Sequence, residues 1–183
     1  MTPSRNNYPD SGLKAKARIT TKAVAIAGLL AALALIFSYI EVLFPVSTSV
    51  PGVKLGIANI VIIIALYYMD GRYALAINLV RVFIAGLLFS GVFGILYSLA
   101  GALLSLGAMV ILKRTGLFSV TGVSIAGGVM HNLGQMLVAA VVVGNIKVFV
   151  YFPVLIISGV ISGAVIGILA HLILLRLRNT SPF

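Results

Sequence analysis

The chain has 183 residues, 61% of them hydrophobic and only 9% charged, against about 25% charged in an ordinary soluble domain. With a mean hydropathy of +1.21, these figures exclude a soluble globular domain and a disordered chain. The net charge of +10 does not mark a nucleic-acid binder, because its 13 Lys and Arg form no stripe on a soluble face.

A spanning helix needs about 20 apolar residues, so this length holds about six spans with short loops. The sequence therefore predicts an all-α, polytopic membrane protein: a basic tail over 1–22, a six-helix membrane domain over 23–178 and a short tail over 179–183. The tail is polar and rich in Pro and Gly. Span 1 covers about 23–44 and stops at Pro45; it is read as a retained helix, since no small-residue cleavage site follows it. The loop PVSTSVPG (45–52) leads to a short span 2 over 55–69, and Asp70-Gly71-Arg72 is a tight turn. Span 3 covers about 73–89, with a break at Ser90-Gly91, and span 4 covers 92–112, ending at Lys113-Arg114. Span 5 covers about 123–143, and the turn Gly144-Asn145-Ile146-Lys147 follows. Span 6 covers about 148–175 and is expected to break or tilt near Pro153.

This arrangement sorts the basic residues. Arg5, Lys14, Lys16, Arg18, Lys22, Arg72, Lys113, Arg114, Arg176 and Arg178 fall on one side, Lys54 and Lys147 on the other, and Arg81 inside span 3. The positive-inside rule then places both termini in the cytoplasm and the chain in the cell membrane. Charge is thus a topology signal, supplemented by attraction of the tail to anionic lipid.

Small residues four apart line one helix face and let backbones approach. Gly159, Gly163 and Gly167 in span 6, and Gly94, Ser98 and Ala102 in span 4, are expected to pack within the bundle. Ala23, Ala27 and Ala31 in span 1, with Gly28 and Ala32 beside them, serve either that purpose or docking of another membrane protein.

Seven polar residues fall where hydrocarbon penalises them: Glu41, Asn59, Asn78, Arg81, His131, Asn132 and Gln135. Asn78 lies three before Arg81, and Gln135 four after His131, so each pair shares a face. All but Asn132 are expected to converge on one cavity in the middle-to-outer half, below Lys54. Two readings stand. In one, the set is a self-satisfied network in which Arg81 pairs with Glu41. In the other, it is a ligand site, and the excess of Lys54, Arg81 and His131 over Glu41 selects an anionic or strongly accepting ligand. Phe83, Phe89, Phe93 and Tyr97 are expected to be core or lipid contacts, or to suit a ring or isoprenoid part. His171 is expected at the interface, with no role.

The absent chemistry is as informative. Only three acids occur, Asp10, Glu41 and Asp70, too scattered to hold magnesium between two carboxylates. No phosphate-binding glycine loop, GxSxG or HExxH run exists. There is no cysteine, hence no disulfide or thiolate site. No enzyme activity, cofactor or metal site is expected.

The runs PGVKLGIANI (51–60), NLVR (78–81) and MHNLGQ (130–135) resemble the Gx transporter family, also called heptaprenyl diphosphate synthase component I. That family is similar to the substrate-binding S components of energy-coupling factor (ECF) importers. The resemblance implies a six-helix subunit that captures a micronutrient from outside, powered by a transmembrane T component and two ATPases. It further implies that helix 1 meets the T component through Ala23, Ala27 and Ala31, and that the loop carrying PGVK (51–54) roofs the site. Under the synthase name, the chain would be a membrane partner handling a prenyl or quinone precursor, because soluble prenyl synthases need aspartate-rich magnesium sites.

Overall fold

The computed structural model describes residues 20–43 and 56–177. Among the described residues lie six α-helices and no strand: α1 (Thr21–Leu43), α2 (Ala58–Tyr68), α3 (Gly71–Ala85), α4 (Gly91–Thr115), α5 (Val120–Val143) and α6 (Phe152–Leu177). In hydrocarbon every backbone N–H and C=O must be paired within its own segment, which is why so apolar a chain is helical throughout. The helices stand where the six spans were expected. By length and composition, four helical stretches among the described residues qualify as crossings: Thr21–Leu43, Gly71–Thr115, Val120–Val143 and Ile146–Leu177. These make the chain a multi-pass membrane protein.

The fifth apolar segment, α2, has 11 residues and is about 16 Å long, roughly half the hydrocarbon thickness. It is also the centre of the fold. Every residue from Ile60 to Leu66 is buried, as a helix apolar on all sides requires. α1, α3 and α6 pack around it.

The stretch Gly71–Thr115 folds back on itself. Gly86–Ser90 form a π-helical turn, and Gly91 follows at φ 66°, a conformation that only glycine adopts cheaply. Gly86 lies directly against Ile95 at this bend. At the far end Gly71 faces Val110, with a methyl group at Gly71 placed 3.4 Å from its Cγ2. α3 and α4 are therefore antiparallel. The same logic orders the remaining helices. Gly134 of α5 lies against Ala100 and Gly127 against Met109 of α4, while Gly128 and Thr121 of α5 meet Gly159 and Gly167 of α6. The end bearing Arg72, Lys113 and Arg114 is thus also the end where α6 finishes.

Gly159, Gly163 and Gly167 pack inside the bundle as expected, whereas Gly94 meets only Ser90 of the preceding turn. A Cβ on Gly163 would sit 2.7 Å from Ile125 Cα, so the α5 and α6 backbones touch. Two boundaries differ from the sequence expectation. α5 starts at Val120 because Ser119 Oγ accepts the Gly122 N–H at 3.1 Å, an N-cap. Span 6 changes geometry just before Pro153, where a break or tilt was expected, so α6 starts at Phe152. A 3-10 turn over Ile146–Tyr151 precedes it, and Pro153 occupies the first turn of α6, where no partner for its missing N–H is needed.

Candidate functional site

α3 carries Asn78 and Arg81 one turn apart, and both are buried. Arg81 donates Nε–H and Nη2–H to Asn78 Oδ1 at 3.2 and 2.9 Å. The amide thereby fixes the plane of the guanidinium and engages two of its five donors. Glu41, in the last turn of α1, accepts the backbone N–H of Ile57, which leads into α2. Its carboxylate also exerts a favourable Coulombic pull on Arg81. One acid therefore ties α1 to the start of α2 and offsets the buried cation of α3.

Glu41 and Arg81 line a pocket of about 70 Å³ together with Ser38, Asn59, Ser98 and His131. Val42, Phe89 and Ser90, all exposed, form its rim. Tyr39 stacks on Phe89 with ring centroids 5.1 Å apart. The π-helical turn supplies Gly86, Phe89 and Ser90 to the wall, a setting in which such turns recur. A smaller cavity of about 20 Å³ lies next to it, lined by Ser105, Ser124, Asn132 and Ser162. Gly56, Asn59 and His131 border both cavities. Gly101 of α4 packs on the His131 ring, with a Cβ there placed 3.0 Å from Nδ1.

Of the residues singled out by sequence, Glu41, Asn59, Arg81 and His131 converge on the pocket. Asn78 stands behind Arg81 and orients it. Asn132 borders only the smaller cavity, and its Nδ2 donates to Leu155 O at 2.7 Å. Its role is to pin α5 to α6, since one residue past His131 turns the side chain about 100° around the helix. Gln135 is buried but lines neither cavity, and its Oε1 has no hydrogen-bond partner among the described residues. Lys54 lies outside the described residues. Sequence reading missed Ser38, Ser90 and Ser98, whose hydroxyls carry little signal in a membrane helix. Ser38 was within reach: it precedes Glu41 by three and so shares its face. Among the described residues no three His, Asp or Glu side chains gather as a metal would require.

The alanine face of α1 needs correction. Ala23 is fully buried, and Ala27 and Ala31 pack against the core. They face the bundle. The small residues that α1 turns outward are Ala25, Gly28 and Ala32, and nothing lies within 4 Å of a Cβ placed on Gly28.

The fold and pocket define a multi-pass α-helical membrane protein with a charged recess enclosed by its helices. The chain belongs to the Gx transporter family, described as heptaprenyl diphosphate synthase component I, which matches residues 30–173. No curated protein and no solved structure matches the chain.

Proposed function

We propose that this chain is the substrate-capturing subunit of an ECF-type importer, binding a small anionic or polar micronutrient from outside without transforming it. In this reading the chain crosses the cell membrane six times, with both termini in the cytoplasm, and couples to a T component and two ATPases. The observation that carries the proposal is the pocket where Arg81, Glu41, Asn59 and His131 meet. A buried arginine in a membrane domain marks a site more often than a packing device. Asn78 holds its fork, and the three remaining N–H groups are those a carboxylate or phosphate would meet.

The volume of about 70 Å³ suits the charged head of a ligand; a whole vitamin needs roughly 300 Å³ or more. The apolar remainder then passes the rim at Val42 and Phe89. Replacing Arg81 by Ala removes charge-assisted bonds worth about 1.5–3 kcal/mol and should weaken binding roughly tenfold to a hundredfold. The check is mass spectrometry of small molecules released from the purified wild type and variant; equal recovery would sink the site assignment.

The family's printed description favours a second reading, a membrane partner of a prenyl diphosphate synthase. One experiment separates the two. The tagged full chain is purified gently from its own membranes and its companions are identified by mass spectrometry. A T component with paired ATPases supports the importer. A prenyl synthase without ATPases replaces it with the biosynthetic role.

A further inference from the structure

A second concavity among the described residues is larger than the charged pocket. A groove of about 650 Å³ opens between the start of α3 and the end of α4, at the opposite end of that hairpin from its π-helical bend. Its walls are apolar: Leu75, Leu103 and Ile111 are exposed there, and Leu106 is buried at its base. Its polar rim holds three cations, Arg72, Lys113 and Arg114, against the single acid Asp70. Lys113 is a fixed charge. Its Nζ donates to Leu66 O, in the last turn of α2, at 2.6 Å and stands 4.9 Å from the Tyr67 ring centroid. Arg72 and Arg114 are exposed and free to swing over the mouth.

We propose that this groove binds an anionic phospholipid, with its phosphate on Arg72 and Arg114 and an acyl chain along the apolar wall. Charge complementarity carries the assignment, since a basic rim above an apolar cleft between membrane helices matches an acidic headgroup and its tail. A zwitterionic lipid brings its own cation to a rim that already has a surplus. A free phosphate leaves the leucine wall uncovered. Gly107 lines the groove, and nothing lies within 4 Å of a Cβ placed there. That open space is where the chain of the lipid runs.

The test uses the full chain in a neutral detergent, titrated with dioleoyl phosphatidylglycerol or dioleoyl phosphatidylcholine and read by native mass spectrometry. Phosphatidylglycerol should be retained at least about tenfold more strongly. The double variant Arg72→Gln, Arg114→Gln, altered only at exposed positions, should lower it to the phosphatidylcholine level. Gly107→Trp leaves every cation in place but fills the cleft, and should also abolish the preference while melting like the wild type. Equal retention of the two lipids by the wild type, or unchanged preference in the double variant, overturns the proposal. Displacement of the lipid by a tenfold excess of inorganic phosphate overturns it as well, because the site would then recognise a free anion.

Discussion

Arg81 is the most expensive side chain in this fold, and its neighbours show how it is tolerated. Asn78 engages two donors at 3.2 and 2.9 Å, and Glu41 supplies the opposing charge from another helix. Breaking a buried charge pair costs more than replacing both members. Glu41→Gln should therefore destabilise the chain by about 2 kcal/mol, less than for a fully buried pair because Glu41 is half-buried. Arg81→Met removes the buried cation but leaves Asn78 Oδ1 without its donors and should cost about 1–3 kcal/mol, and the double variant should lose less than the sum of the two single variants. Thermal unfolding in detergent of all four proteins measures this, and simple additivity would show that the two charges do not interact. Much of this was legible in the sequence, because a spacing of three or four on a helix fixes a shared face without knowledge of the neighbours. Asn132 was not legible in the same way. A polar residue adjacent to His131 belongs to another face, and only the position of α6 shows that Leu155 O awaits it.

Among whole elements, glycine separates contact from free surface. Gly163→Ala would drive a methyl group to 2.7 Å from Ile125 Cα and 2.8 Å from Ser124 O, both backbone atoms that cannot rotate aside. The helices must move apart, at a cost of about 1–3 kcal/mol. Gly107→Ala meets nothing within 4 Å and gains up to about 1 kcal/mol in helix propensity. The two melting temperatures in one detergent should therefore shift in opposite directions, and a common direction would contradict the α5–α6 packing described above. The four-residue spacing at Gly159, Gly163 and Gly167 announced this interface in the sequence, since only small residues let backbones touch. The π-helical turn did not announce itself. Gly86 reads as one more small residue until the bend at Gly91 brings Ile95 onto it. Pro153 was ambiguous for a related reason: a proline in an apolar run marks either a kink or a helix start, and the preceding 3-10 turn decides for the start.

The whole molecule has to divide its apolar surface between lipid and protein, and α1 is where that division can be tested. Between Ala23 and Phe37 α1 has no polar position to signal which side faces inward, so Ala23, Ala27 and Ala31 and their neighbours Gly28 and Ala32 looked equivalent in that stretch. Packing separates them. The first three belong to the bundle, while Ala25, Gly28 and Ala32 form an outward strip flanked by Leu29 and Ile36, which are 72% and 55% exposed. If the proposed T component docks on α1, it meets this strip, because close helix approach in lipid needs small side chains on the contacting face. Gly28→Leu then discriminates well. The site has open space on its outer side, so the variant should melt within about 0.5 kcal/mol of the wild type, as surface substitutions do. In the affinity purification from native membranes it should lose its membrane partner. Ala23→Leu, at a fully buried position, should instead lower the melting temperature. Unchanged partner recovery with Gly28→Leu would move the docking surface off this strip while leaving the pocket at Arg81 untouched.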